Sequence, residues 1–165
     1  MKYSAVIACS VLCAACMQAI GQERQSCTGP QLGTWALQSN TTEDLTTGEK
    51  AELFGAHPTG FISYGPDCRM SVILIKEGRK APTVPTDAER VELYNGLVAY
   101  AGTYSIEGDK VSHHIDASWN QSWTGTTQMR QFRVEGKTLY LKTLPGKNAL
   151  TGKMSSSVLI LVKVE

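Results

Sequence analysis

Apolar and polar residues alternate along most of the chain beyond residue 30, and a period of two is typical of strands with one face turned to a core. Turns rich in glycine, proline and aspartate separate the alternating stretches, which favours antiparallel neighbours. The eight predicted strands cover residues 32–39, 60–64, 69–76, 99–107, 110–118, 124–134, 138–143 and 157–164.

The pattern changes between the third and fourth predicted strands. Thr86 and the glutamate three residues later form a capping-box signature. Val91, Tyr94 and Val98 then follow with helical spacing. We predict one short amphipathic helix that ends near Gly102 and packs against the sheet as a lid or plug.

Eight antiparallel strands in a chain of this length leave two unpaired edges unless the sheet closes on itself. Closure into a barrel removes both edges, and the interior of an eight-stranded barrel is wide enough for side chains and one small ligand. We therefore predict an all-β fold, with an antiparallel barrel favoured over an open two-sheet sandwich.

The first segment has the proportions of a secretory signal peptide. Lys2 is followed by an uncharged, apolar run over residues 4–15, which is too short to span a membrane. Cleavage after Gly21 is one interpretation. A lipobox ending at Cys16, which would then carry a lipid, is the second, and an uncleaved core segment is the third. We expect residues 1–21 to be a signal peptide, 22–30 a lead and 31–165 the barrel domain.

Cysteine and charge take a different meaning once that segment is removed. Three of the five cysteines lie within the first sixteen residues, which leaves Cys27 and Cys68. In an oxidising compartment this pair can form one disulfide, and two unrelated thiols are the alternative. The sixteen basic residues become fifteen without Lys2, equal to the fifteen acidic ones. This balance argues against a nucleic-acid partner.

Several short blocks resemble the bacterial and fungal lipocalin-like domain family. Residues 32–35 resemble the Gly-x-Trp signature of lipocalins. The other similar blocks, in the family's order, are residues 58–64, 70–71, 100–104, 111–114, 123–126 and 128–130. The resemblance covers about residues 31–164. It implies a calycin-like β-barrel with a small-molecule cavity. Together with the strand and helix pattern, it leads us to expect an eight-stranded antiparallel lipocalin-like (calycin) barrel with the short helix between its third and fourth strands.

The resemblance also implies a structural plug at one end of the barrel. In lipocalins the tryptophan of the first strand packs across the closed end and an arginine from a late strand covers it, so Trp35 and Arg130 are the expected pair. The chain departs from the family pattern at Cys68, where a turn glycine is expected. This departure predicts that Cys68 lies at an exposed hairpin tip.

His113 is the most informative polar residue of the predicted strands. It shares a face with Val111 and Ile115, so it is expected to point into the barrel. An inward imidazole is either a satisfied core histidine or a polar anchor or acid–base group in a cavity. By the same alternation, aromatic and apolar side chains are expected to line a ligand site. The predicted ligand-binding residues are Tyr64, Met70, Val72, Tyr100, Tyr104, His113 and Trp123.

Three functions follow as hypotheses. The first is an exported protein, periplasmic or secreted, that binds a small, mainly apolar molecule in the barrel. The second is a barrel enzyme of the cyclase or isomerase type, like some proteins that the chain resembles, with His113 and either Tyr104 or Tyr64 as its acid–base pair. The third is a protein-interaction module that uses the Trp119–Trp123 loop, which we expect to cover the barrel mouth.

The remaining motifs predict little further chemistry. No catalytic motif and no metal-ligand spacing is present, so we expect no metal and no cofactor. The one expected membrane contact is a lipid anchor at Cys16, and the sequence carries no signal for an oligomeric state.

Overall fold

The computed structural model describes residues 26–80 and 82–164. The predicted signal peptide, its cleavage point and the alternative lipidation site at Cys16 lie outside the described residues. The strands are β1 (Gly33–Asp44), β2 (Lys50–Ala51), β3 (Thr59–Tyr64), β4 (Arg69–Ile75), β5 (Leu97–Glu107), β6 (Lys110–Ser118), β7 (Thr127–Glu135), β8 (Thr138–Thr143), β9 (Gly146–Lys147) and β10 (Met154–Lys163). Helix α1 covers Asp87–Asn95, and a 3₁₀ turn covers Gln121–Trp123.

Eight of these strands close into an antiparallel barrel. The order is β1-β3-β4-β5-β6-β7-β8-β10, and β1 pairs with β10 to close the circle. The two-residue strand β2 pairs with β1, and the two-residue strand β9 pairs with β10. The prediction of a closed eight-stranded barrel is confirmed. The open sandwich is wrong because β1 has a hydrogen-bonded neighbour on each side.

Two strands are longer than the alternation predicted. The first reaches Asp44 instead of residue 39, and the last begins at Met154, where its residues pair with that extension. The added part of β1 turns Asn40 and Thr42 into the barrel. Polar residues on an inward face look like a loop in a hydrophobicity pattern, which is why the prediction stopped short.

Glycine allows two strands to approach more closely than side chains permit. A Cβ at Gly102 would collide with the carbonyl oxygen of His114, at the point where the register between β5 and β6 shifts. A Cβ at Gly60 would likewise collide with the carbonyl oxygen of Ile73. Both sites lie where a small barrel must bend its strands, a known role of strand glycines.

One end of the barrel is closed by the lead that precedes β1. The Cys27 amide donates to the carbonyl oxygen of Pro66 in the β3–β4 turn, and a disulfide joins Cys27 to Cys68. The Trp35 ring is fully buried, and its Nε1–H donates to the Gln31 carbonyl at 2.7 Å. The predicted disulfide is therefore present, and it ties the lead across the closed end.

Two predictions about this end are wrong. The cation over the Trp35 ring is Lys163 Nζ, 5.1 Å from the centroid, because β10 pairs with β1 and brings that lysine alongside. Arg130 lies on β7, between β6 and β8, and lines the cavity described below. Cys68 is not at an exposed tip, since only 2% of its surface is exposed.

Cys68 nevertheless occupies the conformation expected of the family's glycine. Its φ of 61° is left-handed, and among the described residues other than glycine it is alone in this region. Such a backbone costs an ordinary residue about 1–2 kcal/mol. The disulfide holds the residue there.

The helix begins as predicted and ends earlier. The Thr86 side chain accepts from the Glu89 amide, and both halves of the capping box are present. The helix stops at Asn95 rather than near Gly102, because Leu97 already pairs with β4. None of its described residues is buried, so it is not a packed plug. No helix in residues 26–80 and 82–164 combines the length and apolar character needed to cross a membrane.

Candidate functional site: a cavity in the open half of the barrel

A cavity of about 380 Å³ lies in the barrel half opposite the plug. This volume is within the range of roughly 300–1,000 Å³ that is usual for small-molecule sites. Its walls are mainly aliphatic and aromatic side chains that alternate inward along the strands. The apolar walls include Phe54, Ile62, Val72, Leu74, Val98, Leu141 and Leu159.

A buried histidine between two tyrosines forms the polar part of the wall. His113 Nε2 lies 2.8 Å from the Tyr64 hydroxyl, and His113 Nδ1 lies 3.0 Å from the Tyr100 hydroxyl. His113 and Tyr100 line the cavity, whereas Tyr64 lies behind His113, in the core. The three side chains come from β6, β3 and β5, so the array depends on the closed sheet.

All three groups of this array are uncharged at neutral pH. Burial, followed by the charge of Arg130 and then that of His114, holds the pKa of His113 well below its usual value. Burial likewise raises the pKa of Tyr64 well above 10, and that of Tyr100 rises for the same reason. A neutral imidazole has one N–H donor and one acceptor nitrogen.

The donors and acceptors of the three side chains determine the direction of each hydrogen bond. Among the described residues, His113 Nε2 is the sole partner of the buried Tyr64 hydroxyl, so the Tyr64 O–H must donate to it. The imidazole proton is then on Nδ1, which donates to the Tyr100 oxygen. The Tyr100 O–H is consequently left over, on a side chain that lines the cavity.

Arg130 stands beside this hydroxyl. Burial raises the pKa of Tyr100. The charge of the Arg130 guanidinium and its hydrogen bonding to the phenol lower that pKa by less, so the net shift is upward. One of the Arg130 nitrogens donates to the Met129 carbonyl at 3.0 Å. No carboxylate of the described residues lies within ion-pair distance of it. Within the part of the chain that the structure describes, no aspartate or glutamate lines the cavity.

Two further polar atoms at the cavity have no partner within the described part of the chain. They are Asn40 Oδ1 and Trp119 Nε1, both buried. Burying such an atom without a hydrogen bond costs about 1–3 kcal/mol. Such groups are rare in folded proteins, so each of them calls for a physical explanation.

Aromatic rings surround the cavity entrance. Trp119 and Trp123 pack edge to face with centroids 4.9 Å apart, and Trp123 also meets Tyr100 at 5.6 Å. The helix reaches this group through Tyr94, whose ring is 6.4 Å from that of Trp119. Both tryptophans are half-buried and line the cavity instead of projecting outward.

The predicted ligand residues divide into two groups. Val72, Tyr100, His113 and Trp123 line the cavity. Tyr64, Met70 and Tyr104 are buried among core side chains and do not line it.

Tyr104 is not the acid–base partner proposed for His113. It lies directly opposite His113 in the β5–β6 register, but its O–H donates to the Gly65 carbonyl at 2.9 Å and helps to close the other end. The tyrosines that do contact His113 are Tyr64 and Tyr100.

Sequence reasoning missed Asn40, Thr42 and Arg130 as cavity residues. The first two lie beyond the predicted end of β1, and the third had been assigned to the plug. The sequence did indicate the direction of Arg130, because strand alternation places it on the same face as Phe132 and Val134. The burial pattern of β7 agrees with this. No three His, Cys, Asp or Glu side chains in residues 26–80 and 82–164 are placed to hold a metal ion.

The fold and the site together define a closed antiparallel β-barrel with an internal, mainly apolar cavity. The chain belongs to the lipocalin-like domain family, whose pattern it matches over residues 32–164. This confirms the resemblance found in the sequence blocks.

Two solved structures are similar to this chain. One is a lipocalin-like protein from Bacteroides uniformis ATCC 8492, 15% identical, covering 82% of this chain and 100% of its own, with a TM-score of 0.44. The other is an uncharacterized protein from Bacteroides eggerthii DSM 20697, 11% identical, covering 81% and 99%, with a TM-score of 0.40. No curated protein matches the chain.

Proposed function

We propose that this protein is an exported binding protein that holds a small ligand with a mainly apolar body inside the barrel. The observation that carries the proposal is the combination of a 380 Å³ cavity with apolar walls and a neutral polar array at one side. Ligand sites commonly pair apolar walls with a few well-placed polar groups.

The walls supply affinity through burial of apolar surface. Each methylene of a ligand that leaves water contributes about 0.8 kcal/mol. The edge-to-face tryptophan pair at the entrance shields the ligand from solvent and supplies further contact area. A chain or ring system of modest size is therefore sufficient for useful affinity.

The polar array supplies orientation. The Tyr100 O–H is a donor without an acceptor among the described residues, and the hydrogen bond from His113 Nδ1 holds the Tyr100 oxygen in place. We therefore expect a ligand oxygen to lie against Tyr100, and the rest of the ligand to extend toward Trp123.

Export is supported by the disulfide and by the character of residues 1–21. A structural disulfide is consistent with an extracytoplasmic protein, since cytosolic thiols are kept reduced. Periplasmic, secreted and lipid-anchored locations remain within the proposal.

The enzyme hypothesis has a weaker basis. Both ring nitrogens of His113 are engaged by tyrosines, and its lowered pKa makes it a poor base at neutral pH. The interaction hypothesis loses its basis because Trp119 and Trp123 line the cavity. We therefore place ligand binding first.

The test is a pair of valine-to-tryptophan substitutions on barrel strands, one at the cavity wall and one on the outer surface. Val98 lines the cavity, whereas Val158 is 38% exposed and absent from the cavity wall. Two uncharged fluorescent probes, the methyl esters of cis-parinaric acid and 1-pyrenebutyric acid, are titrated into the full chain and both variants.

We expect saturable binding of at least one probe at one molecule per chain. Val98→Trp should abolish this binding and Val158→Trp should preserve it, with thermal melts showing that both variants fold. Equal binding by both variants, or no saturable binding to the unaltered protein, would overturn the proposal.

A further inference from the structure

The charges that reach the cavity all have the same sign. Arg130 and Lys147 line it, and no acidic residue of the described ranges 26–80 and 82–164 does. The protein as a whole is nearly balanced, with sixteen basic and fifteen acidic residues, so this one-sided lining is a local feature. A guanidinium facing an apolar cavity without a carboxylate partner is unusual, because buried or half-buried charges are normally paired.

The hydroxyl and amide side chains of the cavity wall can both donate and accept, but several other groups there can only donate or have a donor without a partner. The Arg130 guanidinium can only donate. The Tyr100 O–H has no acceptor among the described residues, because the Tyr100 oxygen accepts from His113. Trp119 Nε1–H is buried without a partner among the described residues. Asn40 Oδ1 is the one such acceptor on a cavity residue, counted over the described part of the chain.

A positively charged wall with unmatched donors favours an anionic acceptor. A carboxylate has two oxygens and about four lone-pair sites, and it can be held by a guanidinium in a two-bond contact. The Tyr100 O–H is a further donor, because Tyr100 and Arg130 line the same cavity. An uncharged ester or alcohol satisfies fewer of these donors and leaves the cation unpaired.

We propose that the natural ligand is an amphipathic carboxylic acid, whose carboxylate is bound by Arg130 and the Tyr100 hydroxyl while its apolar body lies toward the tryptophan entrance. This inference rests on the proposed function and specifies its ligand class.

The test compares each acid with its own methyl ester. cis-Parinaric acid and 1-pyrenebutyric acid are used beside the two esters, so that one flexible and one rigid body are sampled. Charge-assisted hydrogen bonds predict that at least one acid binds the unaltered protein about tenfold or more tightly than its ester.

The matched variants are Arg130→Gln and Arg133→Gln. Arg133 lies on the same strand but faces outward, with an ion pair to Glu135 and its guanidinium over the Tyr140 ring. Arg130→Gln should remove the preference for the acid, so that each acid binds the variant no more tightly than its own ester does. Arg133→Gln should keep the preference, with circular dichroism confirming that both variants fold.

Each result bears on one of the two proposals. If the esters bind as tightly as the acids, the carboxylate inference fails and the binding function stands. If the acids are preferred but Arg130→Gln keeps that preference, the assignment to Arg130 fails. If no probe binds, the binding function fails as well.

Discussion

Replacing His113 by glutamine is expected to flatten the pH dependence of the protein's stability. The folded state holds the pKa of His113 well below 6.5, whereas the unfolded chain has a histidine pKa of about 6.5. The unfolded state therefore binds the extra proton first, and falling pH favours unfolding. The stabilisation is fully present above about pH 6.5 and is lost as the pH falls toward the folded-state pKa.

The size of the effect follows from linkage. A single histidine that stays neutral in the folded state costs about 1.4 kcal/mol of unfolding free energy between pH 7.5 and pH 5.5. His113→Gln removes this contribution, and its amide keeps one donor and one acceptor for the two tyrosines. The difference between the two proteins cancels every other titrating group.

Urea unfolding at constant ionic strength, followed by tryptophan fluorescence, measures this difference at the two pH values. We expect the unaltered protein to lose about 1.4 kcal/mol more than the variant over this interval. Equal losses would refute the burial of a neutral imidazole at this site.

A second variant tests the hydrogen-bond accounting at neutral pH. His113→Leu leaves the buried Tyr64 hydroxyl without its partner, at an expected cost of about 1–3 kcal/mol. Adding Tyr64→Phe removes the stranded hydroxyl, so the double variant should be more stable than His113→Leu alone. A double variant that is less stable would show that Tyr64 has another acceptor.

Two further predictions concern the backbone. In a Cys27→Ala background, Cys68→Gly should be more stable to urea than Cys68→Ala, with a free energy of unfolding higher by about 1 kcal/mol, because glycine tolerates the left-handed φ. The reverse order of stability would contradict the proposed strain. Both should lie below the unaltered protein by about 4 kcal/mol, the entropy of closing a loop of this length. Gly102→Ala should be strongly destabilising or fail to fold, whereas Gly146→Ala, whose added Cβ has ordinary contacts, should cost under about 1 kcal/mol; similar melting temperatures for the two would contradict the close approach of β5 and β6.

The barrel was predictable because its physical causes are local. Strand alternation, the capping box at Thr86 and the need to remove sheet edges all appear in the sequence itself. The predicted strand bounds were wrong where polar residues interrupt the pattern: Asn40 and Thr42 face inward but are polar, so they do not resemble a core-facing strand. The polar lining of a cavity thus conceals the strand that carries it.

The site was predictable only in part. Strand alternation indicates which side of the sheet a side chain lies on, but it does not indicate which side chain it contacts. Tyr64, Tyr100 and Tyr104 were all expected to face inward, yet the register of the closed sheet brings only the first two hydroxyls to His113. Arg130 was assigned by analogy to the plug, and the pairing of β10 with β1 places Lys163 there instead. Both outcomes depend on contacts between residues distant in sequence.

The most direct test of the central claim is a crystal structure of the full chain with 1-pyrenebutyric acid bound. We predict electron density for the probe inside the barrel, with its ring system near Trp119 and Trp123 and its carboxylate at hydrogen-bond distance from Arg130 and the Tyr100 hydroxyl. A probe bound on the outside of the barrel or beside the helix, with the interior cavity unoccupied, would contradict the account.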